Sequence, residues 1–490
     1  MTRKEEIILA KANIVKNYIY NLIYQIVTII TPLITTPYLS RVLGAENIGI
    51  YGYTSSILSY FTLLGALGVL KYGQREIAYV QDNRKKMSKV FWEINGLRAI
   101  TNTISVLFFI VFFCINGEYA IYYRILIIEL IANMFDISWF FQGIEEFKKI
   151  VMRNVAIKLI GIVFIFLFVK SSNDLAIYIL IYVVNLLLGN LSLWLYLPKY
   201  INKVKFKYLN IKKHVKNTIS FFVPQIAVQV YTVLDKTMLG SISTVLEVGY
   251  YEQAQKVIRI LLNIVTSLGT VMMPRMANSF AKGEKDKIKK NIKDSFNFVF
   301  LVSIPIALGI ILIAKDFVPI FFGDEYERTI YVMQIIVLTV IIIGCSNVIG
   351  TQYLIPTKRQ KEYTISVFAG AIVNFILNWF LIKSYGSIGA AIGTVFAELT
   401  VFMVQLFFVR KEIDYNNIIK IFIKYLIYGL IMFTVCYIVG MFITNSILSI
   451  TIQCTLGVLI YLTLLIVGKD ELFMKIFNKY KNKIIRSKDE

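Results

Sequence analysis

Residues 233–253 read VLDKTMLGSISTVLEVGYYEQ and join two long apolar runs. A similar stretch, YLSRVLGAENIGIYGY, occupies residues 38–53 and also lies between two apolar runs. Each stretch has a basic residue (Arg41 or Lys236), an LG dipeptide, a short turn and a G-x-Y triplet that begins the next run. The shared pattern predicts two matching helical hairpins, one in each half of the chain.

Similar apolar runs continue along the whole chain. Each is about 20 residues long, which is enough for a helix to cross a hydrocarbon core of about 30 Å. Of the 490 residues, 57% are hydrophobic and 17% are charged, whereas soluble domains have about 45–50% apolar and about 25% charged residues. We therefore predict an all-α integral membrane protein with about fourteen transmembrane helices. The predicted spans are 17–40, 48–70, 91–115, 120–142, 150–170, 175–197, 218–240, 249–273, 295–315, 329–351, 362–383, 388–409, 418–443 and 446–468.

The repeat divides these spans into two halves. With six helices in each half, the two repeats run in the same sense and are related by an axis along the membrane normal. A central cleft between the two bundles is the expected substrate path. The predicted domains are an N-terminal six-helix bundle (1–197), a basic cytoplasmic linker (198–217), a C-terminal six-helix bundle (218–409), a C-terminal transmembrane helix pair (410–468) and a basic cytoplasmic tail (469–490).

The net charge of +22 is concentrated on one side of the predicted membrane. Alternate connecting segments, beginning with residues 1–16, hold 40 of the 52 lysines and arginines, whereas the opposite loops hold five. This is the positive-inside pattern, so both termini are predicted to be cytoplasmic. The basic loops are expected to contact anionic membrane lipid, and the charge does not indicate binding to nucleic acid. The charged N-terminus has no cleavage site, so we expect no removable signal peptide.

Several kinds of catalysis lack the residues they need. The one histidine, His214, lies in NIKKHVKN and is predicted to be a solvated loop residue, so no Ser-His-Asp or Cys-His site is expected. No GxxxxGK[ST] motif is present, so ATP is not an expected partner. The four cysteines lie in or at the ends of spans without a CxxC pair, which indicates packing residues rather than a disulfide or a transition-metal site. Short outer loops also argue against an enzyme.

Several motifs in order resemble a known family. PYLSRVLGAENIGIYGYTSS, LGVLKYGQREIA, LDKTMLGSISTVLEVGYYEQAQKVIRI, MMPRMA and YGSIGAAIGTVFAE are similar to sequences of Wzx-type oligosaccharide flippases, in the superfamily of polysaccharide and multidrug exporters. The resemblance covers helices 1–12 and implies a twelve-helix core with a further C-terminal pair. It implies a bacterial plasma-membrane protein that moves an undecaprenyl-diphosphate-linked oligosaccharide to the outer leaflet by alternating access, for surface polysaccharide synthesis. Polymerase and glycosyltransferase machinery would be its partners.

Other functions stay open at this point. A lipid II flippase and a cation-coupled multidrug exporter belong to the same superfamily. A drug exporter favours an acidic, aromatic cavity, against which the basic residues of the eighth span argue. A membrane glycosyltransferase or polymerase is a more remote alternative.

Charged residues within spans need a partner or a wet cavity. A diphosphate requires cationic donors along its route, and arginine suits phosphate because its geometry is bidentate. On the eighth span, Glu252, Lys256 and Arg259 share one helix face, and Arg259 lies about 15 Å below Gly249. The predicted substrate-binding residues are Arg41, Lys236, Lys256, Arg259, Arg98 and Lys158. The alternative is structural pairing, with a Glu252–Lys256 salt bridge and Arg259 on a backbone carbonyl.

The acidic residues have two possible roles. Glu129 and Asp136 share a face of the fourth span, where they form a proton or cation relay or pair with Arg98 or Lys158. Glu252 and Glu398 have the same two alternatives, a relay or structural pairing.

A separate cation site is predicted from oxygen ligands at similar depth. Asp235, Asn374, Asn378 and Thr394 offer a carboxylate, two amide oxygens and a hydroxyl, which hard cations prefer. The arrangement resembles the sodium site of the related lipid II flippases. Those proteins tend to have a second acid at the position where this chain has Asn378. Na⁺ or H⁺ is thus the expected coupling ion, with no other cofactor. The alternative is a hydrogen-bond network between helices. Because adjacent helical residues point in different directions, Asp235 is expected to face this site and Lys236 the cleft.

Overall fold

The structure is a computed structural model. It describes the backbone of residues 3–475 and of residue 478, and the side chains of this range except those of residues 3–26, 29, 206, 223, 224, 227, 228, 230, 231 and 270. Within this part of the chain the regular elements are helices, and no strand is present. The predicted all-α membrane fold is therefore confirmed.

By packing, the chain divides into two compact units, Met1–Gly249 and Tyr250–Glu490. The first unit contains eight α-helices in its described part and the start of a ninth. They are α1 (Arg3–Ala66), α2 (Val69–Val80), α3 (Arg84–Phe109), α4 (Ala120–Met134), α5 (Ser138–Gly143), α6 (Phe147–Phe168), α7 (Leu175–Trp194) and α8 (Lys212–Ile242).

The second unit begins within α9 (Val245–Ala281). Its other helices are α10 (Lys285–Phe322), α11 (Glu327–Ile336), α12 (Leu338–Ile349), α13 (Gln360–Tyr385), α14 (Ser387–Val409), α15 (Tyr415–Gly440) and α16 (Ser446–Val467). In this unit α13 packs along α14, and α10 packs against both α15 and α16. In the first unit α1 packs against α3 and α8, and α4 packs against α7.

The two repeated hairpins turn in different ways. In the first, Gly44 has φ 78° and breaks α1 into two helices within one continuous helical stretch. This left-handed conformation favours glycine. In the second, the turn comes later, at Ser243, and Gly240 stays helical. A Cβ on Gly240 would lie 2.1 Å from the Tyr53 ring, so the absence of a side chain allows this ring to pack against α8. The glycine of the LG dipeptide therefore has a different role in each hairpin: it breaks the helix in the first and allows the tyrosine ring to pack in the second.

Twelve helical segments in the described residues are long and apolar enough to cross a membrane. One of them, Ile30–Val80, covers the predicted span 48–70 and residues 30–40 of the predicted span 17–40. The predicted span 218–240 lies in α8, which is not among the twelve. The count of fourteen is thus not confirmed. The predicted domain limits, including the division at residue 218, stay predictions, as does the cleft.

Candidate functional site

The polar side of α9 carries a row of hydrogen bonds with helical spacing. Arg259 Nη2 donates to Gln255 Oε1 at 2.8 Å, and Gln255 Nε2 donates to the Tyr251 hydroxyl at 2.9 Å. Residues four apart lie on the same helix face. The predicted face began at Glu252, but the row that is bonded begins one residue earlier, at Tyr251. Arg259 is exposed and half-buried Lys256 lies 4.0 Å from Glu252.

The row continues from α9 to α14. The oxygens of the Tyr251 and Thr394 hydroxyls are 2.8 Å apart, and Thr394 in turn donates to the Ala390 carbonyl at 2.8 Å. Since the Thr394 proton is used in that bond, Tyr251 is the donor to Thr394. Tyr251 is completely buried. Arg259, Gln255, Tyr251 and Thr394 therefore each donate one hydrogen bond in this row. We call these four residues the polar relay.

The two asparagines of the predicted cation site also lie in the second unit. Asn378 Nδ2 donates to Asn374 Oδ1 at 3.2 Å, and both side chains are buried. Asn378 lies against the backbone of Gly393, where a Cβ would be 2.3 Å from Asn378 Oδ1. This close approach joins α13 to α14 next to Thr394. Three of the four predicted ligands are thus buried polar groups of two adjacent helices.

The fourth predicted ligand, Asp235, belongs to the first unit. It lies on α8 and is 3% exposed, whereas its neighbour Lys236 is half-buried. The two adjacent residues therefore differ in exposure, as helix geometry predicts. Next to them, Thr237 donates to Ser56 at 3.0 Å and bonds α8 to α1. Arg41 is exposed before the break in α1. The role of Arg41, Lys236 and the four-residue cation site stays a prediction.

Arg98 and Asp136 are brought together in the first unit. Arg98 is 1% exposed, donates to the Asp136 carbonyl oxygen and lies 3.8 Å from the Asp136 carboxylate. Arg153 approaches the same carboxylate at 3.9 Å. This arrangement favours structural pairing for Arg98 and Asp136 over a position on the substrate path. Their proposed role in transport is nevertheless untested.

The remaining predicted residues are dispersed. Glu129 is half-buried on α4 and interacts electrostatically with Tyr51 and Tyr182. Lys158 is half-buried on α6, and Glu398 is buried on α14. The relay or pairing role of Glu129 and the expected role of Lys158 stay predictions.

The interpretation of His214 was wrong. Its side chain is 0% exposed at the start of α8, with Nε2 donating to Glu93 Oε2 at 2.9 Å and Nδ1 lying 2.6 Å from the Tyr72 hydroxyl. Glu93 is also 0% exposed and accepts the Asn210 N–H at 2.8 Å. The cluster joins α2, α3 and α8. The surrounding lysines of NIKKHVKN made the segment look solvated, although a carboxylate at the start of a span was a signal that a buried partner was needed.

The glycines of the two G-x-Y triplets have a shared role that the repeat did not reveal. A Cβ on Gly49 would lie 1.7 Å from the Val245 carbonyl oxygen, and one on Gly249 would lie 2.1 Å from the Ala45 carbonyl oxygen. The backbone of α1 therefore touches the first turn of α9. Small residues four apart permit such close helix crossings in membranes.

The second unit also has an apolar groove of about 510 Å³. It is lined mainly by side chains of α10 and α16, including Pro305, Ile310 and Leu462. Cys436 is buried and Cys454 exposed in its wall. Such a lining accepts an aliphatic chain.

Membrane-spanning helices with polar residues at depth define a polytopic membrane protein of the transporter type. The chain belongs to the polysaccharide biosynthesis protein family, whose model matches residues 14–280. A second model, MatE, matches residues 221–380.

The names of curated relatives agree with this family, and a solved structure has the same fold. The chain is 26% identical to an Escherichia coli K12 protein named as an O-antigen transporter, over 82% of this chain and 98% of the relative. It is 25% identical to a Haloferax volcanii protein named as a low-salt glycan biosynthesis flippase, over 87% of this chain and 90% of the relative. The lipid II flippase MurJ, in an inward closed conformation, has the same fold, with a TM-score of 0.70 and 19% identity, over 92% of this chain and 100% of that structure.

Proposed function

We propose that the protein is a flippase for a lipid-linked oligosaccharide. In this proposal the substrate carries an undecaprenyl-diphosphate anchor and moves from the cytoplasmic to the outer leaflet of a bacterial plasma membrane. Both termini are cytoplasmic, and transport proceeds by alternating access without nucleotide hydrolysis or covalent catalysis. The glycan then serves surface polysaccharide synthesis, with a polymerase and glycosyltransferases as partners. The family membership and the names of the relatives support this function.

The observation that carries the proposal is Arg259, an exposed arginine within the membrane-spanning helix α9. A guanidinium group at membrane depth is costly unless it faces water, a partner or an anionic ligand. Gln255 holds one of its nitrogens, and in this proposal the other donors of its planar fork bind the ligand. A diphosphate offers several acceptor oxygens to such a fork. Arg259 is therefore the first phosphate contact in this proposal.

Lys256 is the second phosphate contact. Its ammonium group lies 4.0 Å from Glu252, at the outer limit of an ion pair, and the lysine side chain is 31% exposed. Such a distant, partly exposed pair contributes little stability. A phosphate oxygen can replace Glu252 as its partner at small cost. Arg41 and Lys236 extend the predicted cationic route in the first unit.

The anchor of the substrate is apolar and needs no charged contact. The groove between α10 and α16 has the volume and the lining for part of an isoprenoid chain. Burial of apolar surface contributes roughly 25 cal/mol per Å². Charge recognition at α9 and apolar contact in the groove together favour a lipid diphosphate over a free nucleotide sugar.

In this proposal transport is coupled to an ion. Na⁺ at Asp235, Asn374, Asn378 and Thr394 would use hard oxygen ligands. The polar relay supports a link, because it connects the phosphate contact Arg259 to Thr394 through hydrogen bonds alone. H⁺ carried by Glu129 is the second candidate, and the two ions are separated by measuring transport in opposed Na⁺ and pH gradients.

The function is tested with purified protein in proteoliposomes without nucleotide. Three labelled substrates are compared: undecaprenyl-diphosphate oligosaccharide, lipid II and a cationic drug. We expect transfer of the oligosaccharide lipid between leaflets at a rate above that of protein-free vesicles. Preferential transfer of lipid II or of the drug would assign the chain to the corresponding transporter class instead. Elongation of the glycan by the purified protein would indicate an enzyme.

A further inference from the structure

A polar pocket of about 680 Å³ opens in the first unit. Three segments supply most of its lining: residues 46–53 of α1, the turn at 116–119 before α4, and residues 240–245 from the end of α8 to the start of α9. In the predicted orientation these segments lie on the outer side of the membrane. Nine of the fourteen lining residues have a polar side-chain atom. The pocket thus differs in chemistry from the apolar groove.

Aromatic rings form a fixed wall of this pocket. The Tyr53 ring packs on Gly240, and its hydroxyl oxygen is 3.3 Å from Ser241 Oγ. The Tyr119 ring stands edge-on to it, with centroids 6.1 Å apart. Phe112, which is 66% exposed, extends the wall toward solvent. Ring faces and edges held in this way pack against the C–H faces of a pyranose.

The charge of the pocket excludes a phosphate. Two exposed carboxylates, Glu46 and Glu118, line it, and none of the described lining residues is a lysine or arginine. Burial raises the pKa of Tyr119 to about 12, as do the neighbouring carboxylates of Glu118 and Glu46. Carboxylates accept strong hydrogen bonds from hydroxyl groups. The pocket therefore suits a ligand rich in hydroxyl or amino groups and without negative charge.

We propose that this pocket binds neutral or amino-sugar residues of the transported glycan at the outer face. The inference rests on the proposed function, which brings a glycan to this side of the membrane. Carboxylates, hydroxyls and aromatic rings together match the donors, acceptors and C–H faces of a sugar. The diphosphate is held elsewhere, on the cationic face of α9, so the two parts of the substrate have separate sites.

The test uses full-length purified protein and two probes. One is the reducing oligosaccharide released by mild acid from the lipid-linked pool of the producing cells, and the other is inorganic diphosphate. Binding is measured by calorimetry for wild type, Glu118→Gln and Tyr119→Phe, with Tyr122→Phe as a matched control outside the pocket. Loss of one hydrogen bond to the Glu118 carboxylate corresponds to about a tenfold weaker affinity, and loss of one bond to the neutral Tyr119 hydroxyl to roughly a fivefold weaker affinity. We expect this loss for the oligosaccharide in the two pocket variants and not in Tyr122→Phe.

Diphosphate binding separates the two sites. We expect it to be unchanged in Glu118→Gln and reduced in Arg259→Ala, with oligosaccharide binding unchanged in the latter. If wild type translocates the lipid-linked glycan while all variants bind the released oligosaccharide equally, the pocket proposal is wrong and the proposed function stands. If wild type neither translocates nor binds the glycan, the proposed function fails, and the pocket proposal fails with it.

Discussion

Replacing Tyr251 with phenylalanine removes the central hydroxyl of the polar relay and leaves the ring in place. The hydroxyl accepts from Gln255 at 2.9 Å and donates to Thr394 at 2.8 Å. Interhelical hydrogen bonds in membrane proteins contribute about 0.6 kcal/mol on average and about 1.7 kcal/mol at most. The bond to Thr394 is the interhelical one, so its loss corresponds to about 0.6 kcal/mol, with an upper value of about 1.7 kcal/mol. We expect this decrease in the free energy of unfolding for Tyr251→Phe.

The measurement is reversible unfolding of the purified protein in mixed micelles. Tyr331→Phe serves as the matched control, because Tyr331 is 53% exposed on α11. It should change the free energy of unfolding by less than about 0.5 kcal/mol. Equal stability of the Tyr251 variant and wild type would refute the geometry of the relay.

Transport provides the functional part of the same prediction. If the relay couples its ends, Arg259→Ala and Thr394→Val should have non-additive effects on the transport rate, with a coupling energy of at least about 0.5 kcal/mol. In the Tyr251→Phe background this coupling should disappear. Additive effects in the wild-type background would show that Arg259 and Thr394 act independently.

The remaining predictions concern structural contacts. His214→Ala removes a buried partner of a carboxylate and should lower the free energy of unfolding by about 1–3 kcal/mol. Lys213→Ala removes an exposed partner of the same carboxylate and should lower the free energy of unfolding by less than about 1 kcal/mol. Equal melting temperatures of the two variants would contradict the buried cluster. Gly49→Ala should lower the free energy of unfolding by about 1–3 kcal/mol because the added Cβ meets the Val245 backbone. Gly309→Ala adds its Cβ in open space and should leave the stability unchanged. Equal melting temperatures of these two variants would refute the close crossing. Burial raises the pKa of Asp470, but bonds from Lys424, the Phe473 N–H and Tyr425 outweigh it and hold the pKa below its usual value. Its stabilising effect relative to Asp470→Asn should be complete above about pH 4 and lost as the pH falls further; a difference in melting temperature that persists undiminished at lower pH would contradict this.

Much of the fold follows from local pattern. Apolar runs fix where helices form, and α13, α14 and α16 lie close to the predicted spans. The turn of each hairpin is less local. Gly44 breaks its helix, whereas Gly240 stays helical with the Tyr53 ring against its backbone, a contact that lies far away in sequence. A repeated dipeptide therefore predicts equivalent hairpins without predicting equivalent turns.

The candidate site was predictable along one helix and not between helices. The spacing of Tyr251, Gln255 and Arg259 is four residues, so their shared face can be derived from helix geometry. The predicted face began at Glu252 because that residue is charged, although the neutral Tyr251 is the buried member of the row. The step from Tyr251 to Thr394 spans more than a hundred positions in sequence. No periodicity within one helix indicates such a contact.

His214 illustrates the same limit. Its bonds connect it to Glu93 and Tyr72, which belong to two other helices. Composition placed His214 among lysines and thus in solvent, whereas tertiary packing buries it completely. Glu93 was recognisable as an acid within a span, and the energetic need for a partner could be stated. The identity of that partner required the fold.

The central claim is that a cationic face of α9 carries the diphosphate of a lipid-linked oligosaccharide across the membrane. The most direct measurement is the initial rate at which the labelled lipid-linked oligosaccharide becomes accessible to an impermeant lectin in proteoliposomes. Wild type is compared with Arg259→Ala, and with Arg124→Ala as a matched arginine that donates to the Cys114 carbonyl. Loss of a charge-assisted phosphate contact predicts a rate about 10- to 100-fold lower for Arg259→Ala and a wild-type rate for Arg124→Ala. Equal rates for wild type and Arg259→Ala would contradict the claim.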